Sequence, residues 1–167
     1  MTYLKPALIL LAALAFAAAP FFAPEFGGFD PELYPIPQIN PPAQPAGYAF
    51  SIWGLIYLWL ITHAAFGLLR RAGSAAWEPA RLPLLGSLAI GAFWLEVALV
   101  SPIWAAVMIW AMLILALIAL LRTPDQDRWL AVTPLAIYAG WLTAASSVSV
   151  ALVGAGYGIL FSQMVWG

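Results

Sequence analysis

Five apolar stretches, each about twenty residues long, run through this chain, and a stretch of that length can cross a lipid bilayer as an α-helix. Apolar residues make up 65% of the chain and charged residues only 8%, whereas a soluble domain carries roughly 25% charged residues. The stretches lack the apolar–polar alternation of transmembrane β-strands. Because backbone amides must be paired inside lipid, the sequence predicts an all-α membrane protein, a bundle of five transmembrane helices.

The breaks between the apolar stretches define the expected boundaries. We expect helices at about 6–23, 48–69, 82–100, 103–121 and 129–153. The connection at 24–46 contains seven prolines, so it cannot be a continuous helix. The tail at 154–167 is apolar but too short to cross the bilayer again. It is either an interfacial segment or the start of a sixth helix.

The first apolar stretch has two readings. A single Lys5, an apolar run and the small residues Ala17 to Ala19 also fit a secretory signal peptide with its cleavage site. We expect the segment to be retained as the first helix.

The distribution of basic residues predicts the orientation. Lys and Arg occur near the N-terminus, in the linker after the second helix and in the linker after the fourth. The proline-rich connection carries only acidic charges, Glu25, Asp30 and Glu32. The positive-inside rule therefore predicts a cytoplasmic N-terminus and an external proline-rich connection. The same bias favours a bacterial inner membrane.

Several function classes find no support in the composition. The net charge is −1, so the chain has no basic field for nucleic acid. It has no cysteine and a single histidine, so it offers no disulfide, no thiolate nucleophile and no metal-ligand cluster. We expect that the protein is not an enzyme.

Two motifs carry a resemblance to a known family. Asn40-Pro41-Pro42 precedes the second helix, and Phe50-Ser51-Ile52-Trp53 and Tyr57 follow. In the fifth helix, Tyr138 is followed three residues later by Trp141 and then by Thr143-Ala144-Ala145. Both patterns resemble the tryptophan-rich sensory protein/translocator family, also known as the peripheral-type benzodiazepine receptor family. The resemblance covers about residues 40–153, and the chain looks like a divergent member.

The resemblance implies a five-helix bundle, often dimeric, with a ligand pocket capped by the connection between the first two helices. Members bind porphyrins, haem and hydrophobic drugs, and some bind sterols. Carried over to this chain, the aromatic pocket would include Trp53, Tyr57, Tyr138 and Trp141. Where the family tends to have a polar amide pair on the third helix, this chain has Ser87 and Gly91, and its last-helix Asn and Pro fall on Ser149 and Ile137.

Spacing adds its own argument for a pocket. Trp53 and Tyr57 are four residues apart and Tyr138 and Trp141 three apart, so each pair shares one helix face. Two such pairs could form flat walls for a planar ligand. The competing interpretation is an interfacial belt of aromatic residues.

Two ionisable residues within the predicted helices have open interpretations. Glu96 is either a ligand or proton contact or a protonated residue hydrogen-bonded to a neighbouring helix. His63 could ligate the metal of a tetrapyrrole, but a hydrogen-bonded interhelical histidine is the more common role.

Two functional hypotheses follow. The first is a non-enzymatic binding or sensory protein that holds a planar hydrophobic ligand, such as a porphyrin, haem or a chlorophyll-type pigment. The second is an accessory subunit that packs against a larger, pigment-containing membrane complex. Small residues along the fifth helix, among them Gly140, Ala144 and Ser147, suit either packing within the bundle or a homodimer interface.

Overall fold

The computed structural model of the chain describes residues 2–23 and 26–159. In these ranges it has five α-helices and no strand. The helices are α1 Leu4–Phe22, α2 Ile52–Arg70, α3 Glu78–Ala98, α4 Pro102–Leu121 and α5 Val132–Gly156. All five are long and apolar enough to span a membrane, which confirms the predicted fold class. Residues 160–167, part of the tail for which we expect either an interfacial segment or the start of a sixth helix, lie outside the described residues.

The starts of three helices differ by three or four residues from the predicted ones, for local reasons. Helix α3 begins at Glu78 because Pro79 stands in its first turn, where the missing proline N–H costs no hydrogen bond. Helix α5 begins three residues later than expected, after a turn at Asp127, whose φ is +59°. A 3₁₀ segment, Gly47–Ser51, precedes α2.

The helices close into a ring. Each helix packs against two neighbours, in the cyclic order α1, α3, α4, α5 and α2. The buried core runs through the centre and includes Ile56, Leu84, Leu88, Met112 and Leu142. Helices that follow one another in the chain point in opposite directions, so the same end of the bundle carries the N-terminus and the α2–α3 and α4–α5 linkers.

Ion pairs join the linkers at that end of the bundle. The guanidinium of Arg71 makes two bonds to the carboxylate of Asp127, at 2.6 and 2.8 Å. Glu78 pairs with both Lys5 and Arg81. The hydrogen bond from Arg71 holds the pKa of the Asp127 carboxyl below its ordinary value. The pair ties the α2–α3 linker to the α4–α5 linker.

The proline-rich loop, residues 26–50 of the described chain, covers the opposite end. The backbone N–H of Ile36 donates to the carbonyl of Gly156 at 2.9 Å, which attaches the loop to the end of α5. The Tyr34 ring is buried and lies so close to Gly156 that a Cβ on that residue would overlap it. Burial, with the neighbouring Tyr157, raises the pKa of the Tyr34 phenol. This contact explains why α5 continues through the Gly154–Gly156 segment where the sequence predicted an end.

Candidate functional site

A large cavity of about 580 Å³ lies beneath the proline-rich loop. All five helices and the loop contribute to its walls. Its volume is within the roughly 300–1,000 Å³ of small-molecule sites. The aromatic side chains that line it are Phe16, Phe21, Phe26, Phe29, Phe50, Trp53, Tyr57, Trp94 and Trp141. The arrangement is an apolar pocket with flat, polarisable walls.

Three of the four aromatic residues predicted for the site meet in this cavity. Trp53 and Tyr57 of α2 stack on each other, with ring centroids 5.3 Å apart and an angle of 20° between the planes. Trp141 of α5 packs edge-on against Trp53 at 6.2 Å. The four-residue spacing on α2 therefore yields a continuous aromatic surface facing α5.

Tyr138 does not line the cavity. It is completely buried in the bundle, and its hydroxyl lies 2.9 Å from Oγ of Ser87. Ser87 donates its own proton to the carbonyl of Met112 at 2.9 Å, so Tyr138 donates to Ser87. Tyr138 and Trp141 share a helix face, as predicted, but Tyr138 lies almost one helical turn further from the loop. Its hydrogen bond to Ser87, and that of Ser87 to Met112, link α5, α3 and α4.

Phe16 of α1 is a site residue that the sequence interpretation missed. Its ring packs edge-on against Trp53 at 5.5 Å and against Tyr57 at 5.0 Å, and it forms part of the cavity wall. The available signal was the spacing of Ile9, Ala13 and Phe16, which share the buried face of α1. Because nearly every residue of α1 is apolar, that face does not stand out in the sequence.

Trp94 and the proline-rich loop form the wall of the cavity at the loop end of the bundle. The Trp94 ring lies 5.5 Å from Phe26 and 6.3 Å from Phe29 of the loop, and its Nε1–H donates to the carbonyl of Ala105 at 2.9 Å. This hydrogen bond to α4 holds the indole in a fixed position. Phe26 and Phe29 of the loop therefore line the cavity and pack against Trp94 of α3.

Glu96 is not brought to the cavity. It lies on the exposed side of α3, two residues before the helix ends at Ala98, and is absent from the cavity wall, although its neighbours Trp94 and Leu95 are part of it. A carboxylate this close to a helix end can reach the interfacial water, which lowers the cost of its charge. Any contact between Glu96 and a ligand would therefore lie outside this cavity.

His63 lies at the opposite end of the bundle from the cavity. It is buried, its Nδ1–H donates to the carbonyl of Leu130 at 2.7 Å, and its ring stacks on Trp77 with centroids 5.1 Å apart. The hydrogen bond joins α2 to the segment before α5. Within the described ranges, no three His, Cys, Asp or Glu side chains form a group that could hold a metal ion.

Two polar groups of the cavity wall have unused hydrogen-bonding capacity. The Nε1–H of Trp141 and the hydroxyl of Ser149, both on α5, are buried without a hydrogen-bond partner among the described residues. An unpaired buried donor costs roughly 1–3 kcal/mol. A ligand with an acceptor group at this wall would supply the missing partner.

The fold and the site together define an integral membrane protein with a loop-capped aromatic cavity inside a five-helix bundle. A model of the TSPO-like protein family matches residues 37–167. The chain belongs to this family, which confirms the resemblance of the Asn-Pro-Pro and fifth-helix motifs. No curated protein and no solved structure gives a significant match to the chain.

Proposed function

We propose that this membrane protein is a non-enzymatic binding protein of the translocator and sensory type, and that its ligand is a planar hydrophobic molecule such as a tetrapyrrole. The observation that supports the proposal is the convergence of Phe16, Trp53, Tyr57 and Trp141 on one cavity of about 580 Å³. Aromatic faces pack well on a planar macrocycle. Removing apolar surface from water contributes about 25 cal/mol per Å².

The unpaired groups on α5 would orient such a ligand. The Nε1–H of Trp141 can donate only, whereas the Ser149 hydroxyl can donate or accept. Polar groups of this kind are few in an otherwise apolar wall, which is the usual arrangement in small-molecule sites. The apolar, aromatic wall with few polar groups supports a porphyrin, haem or chlorophyll-type pigment as the ligand, bound without a chemical reaction.

The orientation is part of the same proposal. The basic residues lie in or beside the N-terminus and the two linkers that share one end of the bundle, and the acidic proline-rich loop covers the other end. By the positive-inside rule the first end is cytoplasmic. The cavity then opens beneath an external loop, in the outer half of a membrane that we propose is a bacterial inner membrane.

A second candidate is an accessory subunit of a larger, pigment-containing membrane complex. One observation favours it: Ser87 and Gly91, at the positions of the family's amide pair, do not line the cavity. Ser87 bonds within the bundle, and Gly91 packs against Phe16 and Met112. Helix α3 therefore supplies no amide to a ligand.

Purification from native membranes in a mild detergent distinguishes the two candidates. The binding proposal predicts a monomer or homodimer that takes up added porphyrin saturably, as read by quenching of tryptophan fluorescence. Stoichiometric co-purification with other subunits, together with no saturable uptake, would support the accessory-subunit candidate and contradict the binding proposal. The absorbance spectrum of the purified protein reports any pigment that it carries.

A further inference from the structure

A second pocket of about 410 Å³ lies between the proline-rich loop and the end of α3. We call it the outer pocket. Ala98 and Leu99 form its side at α3, and Asp30, Gln38 and Asn40 form much of its side at the loop. It is therefore more polar than the aromatic cavity below it.

Only a thin layer separates the outer pocket from the aromatic cavity. Phe26, Gly28, Phe29 and Gln44 line both spaces. Gln44 crosses this layer and donates from Nε2 to the carbonyl of Gly27 at 3.2 Å, in an exposed position. Gly28 has a φ of +132° and packs so closely on Gln44 that a side chain there would overlap the amide. The two spaces are therefore immediate neighbours, and Gln44 lies between them together with the two phenylalanines.

The outer pocket offers hydrogen-bond acceptors and negative charge. Gln38 is only 3% exposed, its Nε2 donates to the carbonyl of Ile36 at 2.8 Å, and its Oε1 has no partner among the described residues. Asp30 adds a carboxylate. Among the described residues, no Lys or Arg lines this pocket. A buried acceptor beside a carboxylate favours groups that donate hydrogen bonds and disfavours anions.

We propose that the outer pocket binds the polar head of an amphiphilic ligand whose planar apolar body lies in the aromatic cavity. The head is a hydrogen-bond donor, neutral or cationic, such as an amide N–H or an ammonium, and anionic carboxylate heads are disfavoured. This inference rests on the proposed function and narrows the class of ligand.

Three porphyrins with the same macrocycle test the head-group preference. They are a dicarboxylic porphyrin, its dimethyl ester and its bis(aminoalkyl) amide, titrated in an uncharged maltoside detergent with tryptophan quenching as the readout. We expect the aminoalkyl amide to bind about three- to tenfold more tightly than the dicarboxylate at low salt. Added salt should reduce the ratio, because exposed charges are screened.

Two variants of pocket residues, with Glu32→Gln as the matched control, assign the preference to the outer pocket. Asp30→Asn should bring the ratio below about twofold, and the asparagine can still accept the backbone bond that Asp30 accepts from Glu32. Glu32→Gln removes the same charge two residues away, outside the pocket wall, and should leave most of the ratio intact. Gln38→Met should weaken the amide but not the ester, because the ester head has no N–H to donate. Unchanged ester binding also shows that the loop remains folded.

The outcomes separate this inference from the proposed function. Saturable binding of all three porphyrins with equal affinity, tighter binding of the dicarboxylate, or equal effects of Asp30→Asn and Glu32→Gln would overturn the inference alone. Absence of saturable quenching by any of the three would overturn the proposed function and the inference with it.

Discussion

The hydroxyl of Tyr138 lies 2.9 Å from Oγ of Ser87 in the interior of the bundle, and Ser87 donates a hydrogen bond to the carbonyl of Met112. Both side chains are completely buried. Three helices are therefore joined by two hydrogen bonds between completely buried groups. Tyr138, which the family resemblance implies to be a pocket residue, links three helices in the structure.

Removal of the Tyr138 hydroxyl tests this assignment. Tyr138→Phe keeps the ring, which packs against Phe16 at 6.0 Å, and removes one buried hydrogen bond. We expect a loss of stability of about 0.5–1.5 kcal/mol, measured by thermal unfolding in detergent, and porphyrin affinity within about twofold of the wild type, a difference of less than about 0.5 kcal/mol. A tenfold loss of affinity without a loss of stability would place Tyr138 in the binding site instead.

The attachment of the loop to α5 makes a prediction about Gly156. Gly156→Ala places a Cβ where the buried Tyr34 ring lies, so the ring or the helix end must shift. Overpacking of this kind costs typically 1–3 kcal/mol, and we expect faster proteolysis of the loop as Tyr34 is displaced. The matched control is Gly140→Ala on the same helix, where an added Cβ meets nothing within 4 Å and alanine favours the helix. Equal losses of stability in the two variants would contradict the attachment of the loop to α5 through Tyr34.

The Arg71–Asp127 pair predicts a pH dependence of stability. Arg71 lowers the pKa of Asp127, so its contribution is present above the unfolded-state pKa of about 3.9 and is lost as the pH falls through the lower folded-state pKa. Asp127→Asn keeps a residue that tolerates positive φ and should cost about 0.2–1 kcal/mol at pH 7. The difference from wild type should shrink towards pH 3, as followed by thermal unfolding.

The control for this pair is Asp125→Asn in the same linker, because Asp125 is exposed and makes no ion pair with a described residue. A constant difference between Asp127→Asn and wild type across the pH range would show that the carboxylate charge is not what stabilises the linkers.

The orientation can be tested with single cysteines, because the chain has none of its own. Ile39 is 68% exposed in the loop, and Ala75 is exposed in the α2–α3 linker. In intact cells an impermeant maleimide should label a cysteine at position 39 and not one at position 75. The reverse pattern of labelling would invert the proposed topology. Labelling of both positions after lysis is the control for reactivity.

The five helices and three of the cavity residues, Trp53, Tyr57 and Trp141, were predicted from the sequence for a simple physical reason. A lipid-spanning segment must be long, apolar and helical, so the number of helices can be counted from the apolar stretches. Residues four apart share a helix face, which places Trp53 beside Tyr57. A shared face does not fix the depth in the bundle, however: Tyr138 lies about 4.5 Å before Trp141 along α5, further from the loop, and does not line the cavity.

Other site residues depend on tertiary packing that the pattern does not encode. In a membrane helix both the lipid-facing and the buried side are apolar, so nothing in the composition of α1 distinguishes Phe16 from its exposed neighbours such as Leu14. The outer pocket likewise exists only because the loop folds back over α3. Glu96 was expected within a helix at about 82–100, but α3 ends at Ala98, two residues after it, so the carboxylate lies near the bundle end and not in the core.

Saturable quenching of tryptophan fluorescence by porphyrin, compared between the wild type and Trp141→Ala, tests the binding proposal most directly. Trp141 lines the cavity, so its loss should weaken binding by about 1–3 kcal/mol, roughly tenfold or more. The matched control is Trp104→Ala, because Trp104 is 64% exposed on α4 and does not line the cavity; its affinity should stay within about twofold of wild type. No saturable quenching of the wild type, or equal losses in the two variants, would contradict a ligand site in the aromatic cavity.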